Sequence, residues 1–127
     1  MSERGVSEWG PNGDAESLLA AFLAALDEAD PGRAAARAWP LLGGRPARDV
    51  GDEAGLARLL ANDRHRPLLA PLRRERVGWD VRERAARATV LVTPAGVEAA
   101  HAWLMSLAQG TDGRWSITGL QREGFEV

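Results

Sequence analysis

Apolar residues in the first part of the chain recur at the three- and four-residue spacing of amphipathic helices. This spacing predicts a first helix over residues 14–29, with Asp14 as its N-cap. Asp30 and Pro31 then end that helix and begin a second one, which continues to about Trp39. The residue before a proline avoids helical angles, whereas proline itself suits the first helical position. The apolar stripe of the first helix consists of Leu18, Leu19, Phe22, Leu23 and Leu26.

A third helix is predicted over residues 53–61, capped by Asp52, with three leucines on one side. The segment before it, "LLGGRPARDVGD" at 41–52, contains two adjacent glycines and a proline and is interpreted as a loop. The segment after it, "NDRHRPLLAPLRRER" at 62–76, contains two prolines, which favour extended chain.

From Val77 onwards the apolar period changes from 3.6 to 2, which predicts strands. Val77, Trp79 and Val81 alternate with polar residues or glycine in the first strand. The segment at 97–109, "VEAAHAWLMSLAQ", is apolar on both faces; a helix is conceivable there, but its position between two turn signals favours a long strand. The shared face of the second strand consists of Ala86, Ala88, Val90 and Val92.

"GTDG" at 110–113 predicts a hairpin turn into a last strand. Side chains two positions apart lie on the same face of a sheet, so Trp115 and Ile117 are expected to anchor the core, with Gly119 continuing their face. Helices followed by antiparallel strands give an α+β fold, with three helices covering one face of a single sheet.

Composition narrows the class of protein. With 127 residues, of which 45% are hydrophobic, the chain is expected to form one domain over 14–127 behind a loose, polar tail at 1–13. The absence of cysteine removes disulfides and thiolate chemistry. The amino terminus lacks the layout of a secretory signal, and no apolar run approaches the roughly 20 residues that span a bilayer. A soluble, cytoplasmic protein is therefore expected.

Charge argues against nucleic acid or an acidic membrane as a partner, because the formal net charge is −2. All 16 basic residues are arginine, and eight of them lie between Arg64 and Arg87. This cluster is interpreted as a solvated strand and loop surface.

The order of elements, together with the helix pair "FLAALDEADPGRAAARAWP", the approach "RPLLAPL" and the strands "TVLVTPAGVEAAHAWLMSLAQGTDGRWSITG", resembles the nuclear-transport-factor-2-like superfamily. This superfamily is also called SnoaL-like or ketosteroid-isomerase-like, and the likeness is to a bacterial branch over about residues 14–122. The resemblance implies a strongly curved, cystatin-like half-barrel shaped as a cone, with an apolar pocket at one end. It also implies a homodimer through the outer face of the sheet. The fold hosts both enzymes and non-catalytic binding proteins, so it does not by itself indicate a reaction.

The catalytic sets of that superfamily are incomplete in this chain, which has no tyrosine. His101 lies inside an apolar segment and is a candidate general base; the alternative is a core histidine satisfied by a backbone carbonyl. Asp80 is a second candidate, with an outward-facing or arginine-paired carboxylate as its alternative. The two histidines do not have metal-ligand spacing, and neither a metal site nor another cofactor is expected.

Three functions remain open. The first and favoured is a non-catalytic protein that binds a small apolar or anionic molecule. The second is an enzyme of the isomerase, cyclase or dehydratase type with His101 as base. The third is an interaction module that docks a partner on its sheet face. The residues predicted to line the pocket are Phe22, His65, Arg66, Trp79, His101, Trp103 and Trp115.

Overall fold

A computed structural model describes residues 13–96 and 99–122. Its helices are α1 (Ala15–Ala25), α2 (Pro31–Ala38), α3 (Gly44–Val50) and α4 (Glu53–Ala61). The third predicted helix is confirmed at both ends as α4, with Asp52 accepting the backbone N–H of Gly55 at 2.8 Å. The predicted tail at 1–13 lies outside the described residues except for its last residue.

Two of the predicted helices end differently from the expectation. The first stops at Ala25 rather than Ala29, and the backbone N–H of Leu26 closes its last turn. The second reaches Ala38 and continues as a 3-10 turn over Trp39–Leu41, because the fixed φ of Pro40 suits the start of a turn as well as the end of a helix.

The prediction of a loop over 41–52 is wrong, because α3 lies within this segment. None of its side chains is fully buried, so its sequence carries no apolar stripe from which a helix could be predicted. Gly51 follows the helix with a φ of 85°, a conformation that favours glycine. The described residues therefore form four α-helices rather than three.

The strands are β1 (Arg73–Arg82), β2 (Ala85–Thr93), β3 (His101–Gln109) and β4 (Trp115–Arg122). They form one antiparallel sheet in the order β1-β2-β3-β4. The strand prediction for 97–109 is confirmed over 101–109 and wrong for residues 99 and 100, which precede the strand; residues 97 and 98 lie outside the described part. The predicted hairpin turn at 110–113 is present, and the backbone N–H of Gly110 donates to the carbonyl of Arg114 at 2.8 Å.

Two bulges place side chains on faces that simple alternation does not predict. In β1, Arg76 pairs with Val90 and Gly78 with Thr89, so Val77 is an extra residue and is half exposed. The predicted common face of Val77, Trp79 and Val81 is therefore wrong for Val77.

In β4, Ile117 pairs with Leu107 and Gly119 with Ser106, so Thr118 is the extra residue. A side chain on Gly119 would contact that of Ser106, which places Gly119 on the outer face. Its predicted place beside Ile117 is wrong, and Leu120 takes the inner position instead, opposite Met105.

The four helices cover the inner face of the sheet, and one hydrophobic cluster joins the two layers. The predicted faces of β2 and β4 belong to it: Ala86, Ala88, Val90, Val92, Trp115 and Ile117 are all buried. The chain is thus α+β in class, with helices first and an antiparallel sheet after them.

The two edges of the sheet differ. Next to β4, Leu42 bridges Ile117 in parallel and the N–H of Gly43 donates to the carbonyl of Ile117 at 2.9 Å. Within the described ranges, no strand pairs with β1 on its outer side. The β4 edge is therefore paired at Ile117, whereas no described segment pairs with the β1 edge.

Several arginines of the predicted cluster form ion pairs. Arg76 donates to Glu16 at 3.3 Å, which connects β1 to α1, and Arg74 donates to Asp27 at 2.6 Å, which connects β1 to the turn after α1. The guanidinium of Arg76 also lies 4.9 Å from the ring centre of Trp79. In residues 13–96 and 99–122, no helix has the length and apolar character needed to cross a membrane.

Candidate functional site: an apolar cavity in the helical layer

A cavity of about 190 Å³ lies between the helices and the inner face of β4. Its walls come from all four helices and from the segments that follow them. Its floor includes Leu120, which the bulge in β4 turns inward. For comparison, an apolar cavity of roughly 150 Å³ stays dry and takes up benzene. The apolar lining residues are Phe22, Leu26, Ala38, Leu42, Pro46, Val50, Leu56, Leu59, Leu60 and Leu120.

The walls are held by specific local features. Asp52 caps α4 and so fixes the helix that contributes the three leucines. Gly43 and Gly44 let the chain before α3 lie against β4, because a Cβ at Gly43 would be 2.3 Å from Oγ of Ser116. The wall made by α3 therefore depends on two positions without side chains.

The ionisable side chains that line the cavity are Asp49 and His65. Asp49 is mostly exposed and lies 3.9 Å from Arg45 on the same helix. His65 is half-buried, and its ring centre is 5.6 Å from that of the buried Trp103, with the planes tilted by 48°. The cavity thus has an apolar interior with polar groups at two positions.

Asn62 orients the ring of His65. Its side-chain oxygen accepts the backbone N–H of His65 at 2.8 Å and lies 3.1 Å from Nδ1 of the same residue. Burial, and next the positive charge of Arg64, lower the pKa of His65 below its usual 6.5, so the ring is neutral at pH 7 and above.

The structure places two of the seven predicted pocket residues, Phe22 and His65, in the cavity wall. Trp103 lies behind His65 rather than in the wall, and Trp115 is buried in the core. Trp79 is partly buried under Arg76 on β1. Arg66 is exposed at the start of the 3-10 turn Arg66–Leu68, and His101 is partly exposed at the start of β3. None of these five lines the cavity.

The two candidate catalytic residues are not brought together. Asp80 pairs in register with Arg87 and forms an ion pair with Arg82 at 3.3 Å, whereas His101 pairs with Val92, five positions farther along β2. Arg87 is exposed and Val92 is buried, so the two candidates lie on opposite faces of the sheet. A shared proton transfer between them is therefore not possible in this arrangement.

His101 is instead part of a group of buried polar atoms. Its Nδ1, Nε1 of Trp103 and Nη1 of Arg74 make no hydrogen bond within the described part of the chain. Burial, and then the charge of Arg122, lower the pKa of His101 below 6.5. These three residues lie on the inner face of β1 and β3, outside the cavity wall.

The predicted pocket residues omit Leu26, Ala38, Leu42 and the three leucines of α4, and they omit the part of the wall that α3 supplies, namely Pro46, Asp49 and Val50. A signal for α3 was present, because a proline in the first turn with a glycine after the last residue is typical of a short helix. They also omit Leu120, and there the alternation pattern contains no information about the inserted Thr118.

No group of three or more His, Asp or Glu residues among the described positions is placed to hold a metal ion. Comparisons of the chain with protein-family models, with curated proteins and with solved structures found no match.

Proposed function

We propose that this protein is a non-catalytic binder of a compact, mostly apolar small molecule, which occupies the cavity between α1, α3, α4 and β4. The observation that carries the proposal is the cavity itself: about 190 Å³, with ten apolar residues and two ionisable ones in its wall. A concave apolar site with few polar groups is the usual form of a small-molecule site. Its volume suits a molecule with a single ring.

The polar residues support binding rather than catalysis. Asp80 and His101 are on different faces of the sheet, so the pair proposed for general acid–base chemistry does not converge on any shared site. Arg66 lies outside the wall and Asp49 lies in it, which disfavours an anionic ligand and favours a neutral one.

We also propose that the chain belongs to the nuclear-transport-factor-2-like superfamily, with its sheet curved into a cone. The order of four helices followed by a four-stranded antiparallel meander supports this assignment. A cytoplasmic location is part of the same proposal.

The protein is further proposed to form a homodimer through the outer face of its sheet. On β3 that face carries Ala102, Leu104, Ser106 and Ala108, none of which is charged and each of which is only partly buried. A second copy would remove these side chains from water and bury the face.

Toluene tests the binding proposal, since it matches the cavity in size and has no polar group. In a titration followed by ¹³C-methyl NMR, we expect saturable shifts at Leu56, Leu59 and Leu60. The variant Leu59→Trp fills the cavity and should abolish them, whereas Leu72→Trp places the same ring on an exposed residue and should not. Leucine resonances that do not respond to toluene in the wild-type protein would refute the proposed function.

A further inference from the structure

The hydrogen-bonding state of His65 follows from the contacts of Asn62. The backbone N–H of His65 can only donate, so the Asn62 atom 2.8 Å from it must be the carboxamide oxygen. That oxygen can only accept, so the ring Nδ1 at 3.1 Å must carry a proton. In a neutral imidazole with a proton on Nδ1, the other nitrogen, Nε2, is an acceptor.

The other polar group of the wall is also an acceptor. The carboxylate of Asp49 has no donor of its own, and its negative charge repels an anionic ligand. Arg64 lies beside His65 but does not line the cavity, and neither does Arg66. The side chains that face the cavity therefore present two acceptors and otherwise apolar surface.

We infer that the cavity selects an uncharged, compact apolar molecule that carries one O–H or N–H donor, of which phenol is the simplest example. The donor of the ligand bonds to Nε2 of His65, while its hydrocarbon part contacts Phe22 and the leucines of α4. This inference rests on the proposed function and adds the chemical class of the ligand to it. The preference for a ligand with a donor depends on the contact with Asn62 that places the proton of His65 on Nδ1, and not on the volume of the cavity.

Three probes of one ring each separate the possibilities: toluene, phenol and benzoate. Methyl and hydroxyl groups are close in size, so toluene and phenol differ mainly in the donor. One neutral hydrogen bond corresponds to roughly a three- to tenfold change in affinity, and we expect phenol to bind more tightly than toluene by such a factor. Benzoate is expected to bind more weakly than both.

The outcomes distinguish this inference from the proposed function. If neither toluene nor phenol shifts the leucine methyl resonances, the proposed function fails. If toluene binds as tightly as phenol, or if benzoate binds most tightly, the cavity is a binding site but the inference about its ligand is wrong.

The variant His65→Phe removes the acceptor and keeps a flat ring beside Trp103. In this variant we expect the affinity for phenol to fall to that for toluene, with the affinity for toluene unchanged. The neighbouring Arg66→Ala is the matched control, because Arg66 is exposed outside the wall; it should leave both affinities unchanged. A preference for phenol that survives His65→Phe would overturn the inference.

A second measurement needs no variant. Long-range ¹H–¹⁵N spectra of the histidine rings report which nitrogen is protonated. At pH 7.5 we expect His65 to carry its proton on Nδ1 and, on addition of phenol but not of toluene, a shift of the Nε2 resonance alone. Protonation of Nε2 in the free protein would contradict the inference directly.

Discussion

At the residue scale, Gly43 and Gly44 approach β4 too closely for the Gly43 position to hold a side chain without a shift of its neighbours. A Cβ on Gly43 would lie 2.8 Å from Cβ of Ser116, and one on Gly44 would lie 3.2 Å from Cγ2 of Thr118. The sequence showed two adjacent glycines, which are typical of a loop, but it did not show what they lie against. Close approach is a property of two segments, and only the fold specifies the second one.

Replacement of Gly43 by alanine should destabilise the protein by about 1–3 kcal/mol, the usual cost of a forced side chain in a packed region. The double variant Gly43→Ala/Ser116→Gly should recover part of that loss, since the opposing side chain is removed. Urea denaturation followed by circular dichroism measures both.

Gly32→Ala is the control for the alanine substitution. Gly32 is exposed in α2, where alanine favours the helix, and its nearest contact is Oδ2 of Asp30, which caps Arg33, at 3.2 Å rather than 2.3 Å. Its free energy of unfolding should fall by much less than that of Gly43→Ala. An equal loss in Gly32→Ala and Gly43→Ala would contradict the steric explanation.

The two histidines make stability depend on pH. The pKa values of His65 and His101 are lowered in the folded protein, so the unfolded chain binds more protons than the folded one as the pH falls below about 6.5. This contribution to the free energy of unfolding is complete above 6.5 and is lost progressively towards the folded pKa values. The protein should therefore be less stable at pH 5.5 than at pH 7.5.

Denaturation of His65→Phe at the same two pH values tests the assignment. Its stability should fall less between pH 7.5 and pH 5.5 than that of the wild-type protein, because one of the two titrating rings has been removed. A wild-type protein that is equally stable at both values would show that the rings are not held neutral by burial.

At the element scale, the helices differ in how they can be predicted and in how they are held. Helices α1 and α4 carry buried leucines and side-chain caps, and both features are visible in the sequence. Helix α3 has neither a buried side chain nor a side-chain cap, so apolar periodicity gives no sign of it. Of the ten wall residues that the sequence did not predict, this helix supplies three, namely Pro46, Asp49 and Val50.

This difference predicts a difference in hydrogen exchange. Few buried contacts imply a low free energy of local opening, so the amides of residues 48–50 should exchange at least about tenfold faster than those of residues 57–60 in α4. Saturation with toluene should slow the α3 amides, because the ligand would contact Pro46 and Val50.

Equal rates of amide exchange in α3 and α4 would mean that α3 opens only when the whole domain unfolds. The amides of β3, in the centre of the sheet, provide the reference for such global opening.

At the scale of the whole molecule, the sequence predicted the class of fold because the apolar period changes once, from helical to extended spacing. It predicted the inner faces of β2 and β4 as far as Ile117 for the same reason. The prediction failed at the bulged Val77 and at Gly119 after the bulge at Thr118, since an inserted residue breaks the alternation of faces. Of the residues in the cavity wall, the sequence predicted Phe22 and His65.

The proposed homodimer is tested at the same scale. Light scattering of the wild-type protein at tens of micromolar should give twice the mass of the chain. Leu104→Arg, on the outer face of β3, should reduce this to a single copy, because a charge would be buried in the interface. Leu72→Arg, at a residue that is 69% exposed, should not change it. A wild-type monomer at this concentration would refute the dimer.

The covering of one sheet edge by Leu42 and Gly43 also limits how copies of the chain can join by strand pairing. An open-ended filament of this type requires two free edges per molecule, one to receive a neighbour and one to offer to the next. Among the described strands only β1 has an edge with which no other segment pairs, so such pairing can join β1 to β1 and then stops at two copies. The edge of β4 becomes free only when the segment around Gly43 unfolds locally. Polymerisation by strand pairing therefore requires this local unfolding first.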